Sequence, residues 1–468
     1  MRSCRMNDFS RLGLRPELID SATAQGFAQM TPVQAQTLPA ILAGTDVLAQ
    51  AETGSGKTAA FGFGLLNRLI ATDNTPQALI LCPTRELADQ VSQALRQFAA
   101  PIGNVKLMTL CGGSPMRAQI NSLARPPHIV VGTPGRVLAH LRRASLSAPA
   151  LQTLVLDEAD RMLDMGFIAD IQAIVDHLPA DRQTLLFSAT WPDAVREISP
   201  RLQRDPAHIT ATTDDTPTRR ISEIFHRVDD RDKLAVLERV LADARRRQTG
   251  FMQALVFCNR RETVDRVAEH LTRRGVAALA LHGDRDQRER DEVLLRFANQ
   301  SCAVLVATDV AARGLDIPAL PLVVSVDLAG DVATHTHRIG RTGRAGESGR
   351  AVSLATPGEG DRAERIAAEG GFRLNWSRWP ESGGQAGAKP PMATLVIQGG
   401  RRDKLRPGDI LGALTGDGGL SGADVGKIDI ADTRSYVAIA RAEARPARDR
   451  LRKAGIKKKR FRVAILAD

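Results

Sequence analysis

At 468 residues the chain is too long for one ordinary hydrophobic core and predicts two or three domains. An apolar fraction of 43% with 25% charged residues excludes wholesale disorder, and one tyrosine (Tyr436) with three tryptophans excludes extensive base stacking on aromatic platforms. The formal charge of +11 points to a polyanion and is unevenly placed, since residues 393–468 hold 17 Lys and Arg against 9 Asp and Glu while residues 1–392 hold 47 against 44.

The first residues, MRSCRM, run into polar sequence without an apolar signal core, and no apolar run reaches membrane-spanning length. Both features predict a cytoplasmic protein with no membrane partner. Cys4, Cys82, Cys111, Cys258 and Cys302 are scattered without a Cys-x-x-Cys, which fits reduced buried thiols better than disulfides or a structural metal.

Short apolar, β-branched runs then alternate with segments of helical period. In the first half they are residues 46–50, 78–83, 105–111, 128–134, 153–160 and 184–190. The polar stretch ATTDDTPTRR (211–220) reads as a linker, after which a second series covers 254–259, 276–283, 303–309, 322–328 and 351–356. Fully apolar strands alternating with helices predict parallel sheets covered on both faces, so the fold class is α/β with two tandem domains. Ligands are expected beyond the C-terminal strand ends. A Gly/Pro-rich linker, PESGGQAGAKPP (380–391), precedes residues too few for another doubly wound domain. They read as a small α+β unit with strands ATLVIQGG, SYVAIAR and FRVAILA.

AETGSGKT (51–58) follows a strand and opens a helical segment, the context of a phosphate loop. Gly54 and Gly56 let backbone N–H groups turn toward phosphate, Lys57 can reach the β- and γ-phosphates, and Thr58 offers a hydroxyl to Mg²⁺. Ala51 stands where the general pattern has its first glycine. Asp157 and Glu158, in DEAD (157–160) at a strand end, suit Mg²⁺ coordination and orientation of the attacking water. An acidic tetrapeptide alone is an ordinary solvated turn; beside a phosphate loop the catalytic reading is the better one. HRIGRTGR (337–344) places Arg341 and Arg344 on one face if helical, suited to a transferring phosphoryl group, although alone it fits a solvated basic helix equally well.

Together these segments resemble the DEAD-box RNA helicases of superfamily two, in order from Phe9 to Arg344. In that family the first loop position is alanine, as at Ala51. The resemblance implies an ATP site of Phe9, Gln34, Ala51, Glu52, Thr53, Gly54, Ser55, Gly56, Lys57, Thr58 and Asp309, with Gln34 (in GFAQMTPVQ) reading adenine and Asp309 meeting the ribose. It implies catalysis by Glu158, Asp157, Lys57, Arg341 and Arg344, and Mg²⁺ at Thr58 and Asp157. Coupling of hydrolysis to strand separation falls to Ser188, Thr190 and His337, and RNA contacts to Arg85, Gly112, Gly113, Thr133, Arg136 and Thr308. LVFCNR (255–260) departs from the family in carrying Arg260 where a small polar residue is usual.

The tail, with GGRRDKLRPGDILGALTGDGGLSGADVGKIDI (399–430), SYVAIA and KKKRFRVAIL, resembles the RNA-binding domain of DbpA-type bacterial helicases. That resemblance implies an RNA-recognition-motif fold directed to a hairpin of 23S ribosomal RNA, with a pre-50S particle as partner. The usual stacking aromatics of that fold are missing, Tyr436 being the one sheet candidate. Basic loops and edges are therefore expected to bind: Lys404, Arg406, Lys427, Lys457, Lys458 and Lys459. The expected boundaries are 1–37 with the adenine motif, 38–210 and 223–379 for the two RecA-like domains, 211–222 and 380–392 for linkers, and 393–468 for the RNA-binding domain. The expected activity is RNA-stimulated ATP hydrolysis that remodels short structured RNA, with a general RNA chaperone or clamp as the alternative. A DNA translocase would not be expected to carry the adenine motif and this tail, and a scaffold without catalysis would not need Lys57, Glu158, Arg341 and Arg344.

Overall fold

Runs such as Ala-Leu-Ile-Leu and Ile-Val-Val-Gly leave no polar side to face water, so they pair into a sheet with helices on both faces. The computed structural model describes residues 8–467 apart from 52–53, 191–192, 211–220, 313–319, 344–347 and 382–388. The described residues form two compact units, up to residue 210 and from residue 221 onward.

In the first unit the strands are β1 (Val47–Gln50), β2 (Ala78–Leu81), β3 (Leu107–Leu110), β4 (Ile129–Gly132), β5 (Thr153–Leu156), β6 (Gln183–Ser188) and β7 (Ala207–Thr210). They form one sheet in the order β3-β4-β2-β5-β6-β1-β7, parallel throughout. Alternate strand residues feed two cores. Ile80, Val131, Val155 and Phe187 pack with Phe61, Phe63 and Leu95, whereas Leu79, Val130, Leu154 and Leu186 pack with Val137, Met162 and Ile171. The order places the loops after β1, β5 and β6 side by side, and those after β3, β4 and β2 in a second group.

The second unit holds two sheets. β8 (Ile221–Arg227), β9 (Ala254–Phe257), β10 (Ala278–Leu281), β11 (Val304–Ala307), β12 (Leu322–Ser325) and β13 (Gly349–Ala355) form a parallel sheet ordered β10-β11-β9-β12-β13-β8. β14 (Met392–Ile397), β15 (Val425–Ile430), β16 (Ser435–Ala440) and β17 (Val463–Ile465) form an antiparallel sheet ordered β15-β16-β14-β17. Helices Pro407–Thr415 and Ala444–Ala454 interleave as βαββαβ, burying Ile410, Leu414 and Leu451 against Leu395, Val437 and Ile439. The two parallel-sheet domains and the small third one are the architecture expected from the sequence. The four identified cysteines among the described residues, Cys82, Cys111, Cys258 and Cys302, are buried free thiols, and Cys4 lies outside them.

The other face of the tail sheet is also covered. Thr394, Val396, Tyr436 and Ala438 face away from the tail's own helices and are buried. Thr394 Oγ1 accepts from Asn299 Nδ2 at 3.0 Å and donates to Ser301 Oγ at 2.9 Å, while the Arg296 guanidinium donates to the Ala467 carbonyl. The Tyr436 hydroxyl lies 3.4 Å from a Glu292 carboxylate oxygen. The sheet face on which Tyr436 was expected to meet RNA is thus occupied by helix Gln287–Ala298 and the turn after it. A tyrosine has an apolar ring and a polar tip, and its sequence position does not separate base stacking from domain packing.

Candidate functional site

The phosphate loop is built from β1 outward. Ala51 N donates to Ser188 O at 2.8 Å, fixing the strand end against β6. Gly54 and Gly56 take φ of 84° and 96°, and Gly56 caps helix Lys57–Arg68, whose first N–H groups are free to face an anion. A Cβ on Gly56 would stand 2.5 Å from Gln34 Nε2. Gln34 closes a capping box on helix Pro32–Leu42, accepting from Thr31 N at 2.9 Å, and donates to Gly56 O at 3.1 Å. It therefore ties the adenine motif to the loop. Phe9 is buried with its ring edge-on to Phe63, centroids 5.4 Å apart. Ser55 and Thr58 lie in the same loop and helix start, and Glu52 and Thr53 lie outside the described residues.

Lys57 and Asp157 face each other across this loop, Nζ to Oδ1 at 3.9 Å, both almost fully buried. Neither atom has a hydrogen-bond partner among the described residues. A buried ammonium and a buried carboxylate oxygen left unsatisfied call for a ligand carrying both negative oxygens and positive charge. Nucleotide phosphates with a divalent cation fit that requirement. Burial pushes the Asp157 carboxyl up to about 6; Lys57 opposes the shift and Glu158 adds to it. Glu158 is buried in a left-handed conformation, φ 54°, that a non-glycine residue rarely adopts.

Asp160, which the sequence did not single out, links two segments. Its Oδ2 accepts from Thr190 N at 3.0 Å and Thr190 Oγ1 at 2.7 Å, and Ser188 Oγ donates to Thr190 O at 2.6 Å. The acidic tetrad and the Ser-Ala-Thr segment are thus one hydrogen-bonded unit.

The second group of loops gathers Arg85, Gly112, Gly113, Thr133 and Arg136 at the ends of β2, β3 and β4. Thr84 caps the helix that begins at Arg85, and Gly113 takes φ 76°. Arg136 Nη1 donates to Ser114 O at 2.9 Å and to Gln119 Oε1 at 2.7 Å.

In the second unit Arg338 is the hub that sequence reasoning missed. It is 1% exposed and donates to both Asp309 oxygens at 2.7 Å, to Asp327 O at 2.6 Å and to Asn259 Oδ1 at 2.6 Å. Asp309, expected at the ribose, has both oxygens held by this arginine. Thr308 is buried beside it, and His337 Nδ1 pairs with Ala333 O at 2.6 Å. Arg341 lies just beyond the helix, so the condition under which it would share a helical face with Arg344 is not met at Arg341 itself. Helix Val332–Ile339 ends at Gly340, and Thr342 bridges to Leu320 instead. A glycine at 340 and another at 343, with φ 63°, favour leaving the helix. Arg341 is buried, and Arg344 lies outside the described residues.

On the tail, Lys404, Lys457 and Lys458 have left-handed backbones, the last two forming the turn between Ile456 and Lys459. Lys457 Nζ pairs with Asp409 at 2.7 Å, holding that carboxyl below its usual range, and donates to Lys404 O at 3.0 Å. Lys427 pairs with Asp429 at 3.3 Å, and Arg406 N donates to Asp409 at 2.7 Å. Lys458 and Lys459 are exposed.

Residues 31–198 match the family described as DEAD/DEAH box helicase, residues 232–346 the helicase conserved C-terminal domain, and residues 394–465 the DbpA RNA binding domain. The chain is 50% identical to the ATP-dependent RNA helicase DbpA of Escherichia coli over 98% of its own length and 100% of that protein's. It is 43% identical to the DEAD-box ATP-dependent RNA helicase CshA of Geobacillus kaustophilus, covering 76% and 74% of the two chains. Among solved structures, Saccharomyces cerevisiae Dbp5 bound to RNA and ADP BeF3 is similar with a TM-score of 0.72 and 31% identity, over 80% of this chain and 96% of that one. Mss116p bound to ssRNA and AMP-PNP gives 0.71 and 27%, over 79% and 78%. A phosphate loop with an unsatisfied buried ion pair, set in tandem parallel-sheet domains and followed by a βαββαβ tail, thus comes with matches to all three domain families, and the chain belongs to the DEAD-box ATP-dependent RNA helicases of the DbpA type, RNA-dependent ATPases with a C-terminal RNA-binding domain.

Proposed function

We propose that the enzyme remodels 23S ribosomal RNA during assembly of the large ribosomal subunit, with the tail bringing it to a hairpin on the pre-50S particle. The RNA-binding match over residues 394–465 and the concentration of positive charge beyond residue 392 support this reading. Gln34 reads adenine, Lys57 and the loop N–H groups hold the β- and γ-phosphates, and Asp157 and Thr58 would hold Mg²⁺. The bound cation supplies charge neutralisation at the phosphates. Glu158 orients the attacking water. Arg341 and Arg344 neutralise charge on the γ-phosphoryl group once ATP and RNA are both bound, which makes their binding reciprocal. Arg85, Gly112, Gly113, Thr133, Arg136 and Thr308 grip phosphates and riboses, which carry little sequence information. The buried Lys57–Asp157 pair, whose Nζ and Oδ1 have no hydrogen-bond partner among the described residues, is the single observation that carries the nucleotide chemistry.

The test compares ATP turnover by the full chain with ribosomal RNA fragments that contain or lack the hairpin. Strong stimulation only by hairpin-bearing fragments is the expected result. Equal stimulation by unrelated structured RNA would leave a general RNA chaperone and remove the ribosomal assignment.

A further inference from the structure

Gln119 was not among the expected site residues, yet it connects two of the segments that were. It is 7% exposed, on helix Met116–Leu123. Its Nε2 donates to Cys111 O at 3.2 Å, the carbonyl immediately before Gly112. Its Oε1 lies 2.7 Å from Arg136 Nη1 and 3.0 Å from His140 Nε2. The donors and acceptors fix one another. An amide whose nitrogen serves a carbonyl must present its oxygen to the arginine, and that oxygen can accept a second bond only if His140 carries a proton on Nε2. His140 Nδ1 then lies 2.8 Å from Ser145 Oγ, whose single proton is shared between it and the His140 carbonyl at 3.2 Å. Burial, with Arg136 and Arg143 adding to it, lowers the His140 pKa, which agrees with this neutral tautomer.

The consequence for Arg136 is specific. One nitrogen, Nη1, serves both Ser114 O and Gln119 Oε1, and a guanidinium nitrogen has two hydrogens to give. The three remaining N–H groups, on Nε and Nη2, have no partner among the described residues. Two fixed bonds at one corner of a planar fork leave the donors of its other edge for a ligand, a pattern suited to two oxygens of a phosphate.

We propose that Gln119 is a positioning residue for RNA binding: it locks the turn before Gly112 and the Arg136 guanidinium in one arrangement, so that both meet the RNA backbone without being ordered at the moment of binding. The proposal rests on the reading that Gly112 and Arg136 contact RNA. It adds that their geometry is set by a side chain that itself touches no RNA.

The experiment measures ATP turnover by the full-length enzyme against concentration of a single-stranded RNA, for wild type, Gln119→Met, Arg136→Ala and the double variant. Gln119→Met should raise the RNA concentration for half-saturation about 10-fold, within the range of couplings in a shared network. It should leave ATP affinity and RNA-saturated turnover within about twofold, because it does not touch the phosphate loop. In the Arg136→Ala background, Gln119→Met should add clearly less than about 10-fold, the remaining rise being its effect on the turn before Gly112. Should Gln119→Met fail to fold, Gln119→Asn keeps the amide but withdraws it by one methylene, and the same pattern is expected. Full multiplication of the two single effects overturns the proposal, as does an unchanged half-saturation for Gln119→Met when Arg136→Ala weakens binding. An unaltered half-saturation for Arg136→Ala overturns the RNA reading of that segment itself, and the proposal with it.

Discussion

Gly56→Ala tests the coupling between adenine motif and phosphate loop. The backbone at Gly56 has φ +96°, and a Cβ there would stand 2.5 Å from Gln34 Nε2 and 3.0 Å from Thr31 Oγ1. Holding an alanine near the left-handed region costs roughly 1–2 kcal/mol. Relieving the contact moves the Gln34 amide and breaks its 3.1 Å bond to Gly56 O, a further 0.5–1.5 kcal/mol or so. Without nucleotide the loop can relax and escape both terms, so they fall on binding. ATP affinity should drop by roughly 10- to 300-fold, at 1.4 kcal/mol per tenfold. Titration with a fluorescent ATP analogue measures it. Gly44→Ala is the control: φ is +83°, the nearest atom is Arg68 Nη1 at 3.6 Å, and the position lies before β1. It should lower thermal stability and leave ATP affinity alone. A Gly56→Ala enzyme that binds ATP within threefold of wild type would refute the argument that loop shape and Gln34 act together.

Lys57→Ala should abolish productive ATP binding, whereas Glu158→Gln should bind ATP and fail to hydrolyse it, as nucleotide titration and phosphate release would show. Arg341→Ala should lower RNA-saturated turnover by roughly 10³ or more, the range for an arginine that neutralises a transferring phosphoryl group, and a loss of only a few-fold would sink that role. Lys458→Ala and Lys459→Ala should each flatten the salt dependence of RNA binding by about 0.7 slope unit, read from titrations at several salt concentrations. Lys457→Ala should instead loosen the tail's turn, because its ammonium is already committed to Asp409. Asp243 gives the pH test. Burial raises its carboxyl pKa, but hydrogen bonds from Arg350 at 2.8 Å and Arg247 at 2.9 Å outweigh burial and leave it lowered. Its contribution, about 2 kcal/mol for bonds to a charged group, is present above the ordinary carboxylate pKa and lost as pH falls through the lowered one. Asp243→Asn should therefore destabilise at neutral pH, with a difference from wild type that shrinks as pH falls through the lowered carboxyl pKa in denaturant unfolding.

The parts of the fold hidden from sequence have one physical character. β7, β8 and β15 were not anticipated, and each lies at the edge of its sheet. An edge strand needs only a half-apolar sequence, and Ala-His-Ile-Thr or Val-Gly-Lys-Ile-Asp-Ile offers no continuous apolar run. Central strands, buried on both faces, announced themselves. The site divides in the same way. The phosphate loop and acidic tetrad were legible because their chemistry is local in sequence. Asp160 to Thr190, Arg338 to Asp309 and Gln119 to Arg136 are pairings across 30, 29 and 17 positions, made by segments that follow different strands of one sheet. Nothing in a single sequence marks the partner. Asp309 was singled out for the ribose, and its bonds to Arg338 add a partner that its sequence position did not indicate.

The tail raises a question of information. With Thr394, Val396, Tyr436 and Ala438 buried against the preceding domain, no stacking platform remains on that sheet face. Lys457 is engaged with Asp409 and Lys427 with Asp429, so exposed Lys404, Lys458 and Lys459 carry the freest charge of the proposed set. Ammonium groups contact phosphates, and a phosphate contact does not report which base it belongs to. Left-handed backbones at Lys404, Lys457 and Lys458 nevertheless fix where these lysines leave the chain, in tight turns. A fixed pattern of charges can discriminate only among RNAs that present phosphates in a fixed pattern, and single strands do not. A folded hairpin does. If the tail recognises the proposed hairpin, the covered sheet and the basic turns support a reading by backbone shape rather than by the identity of stacked bases.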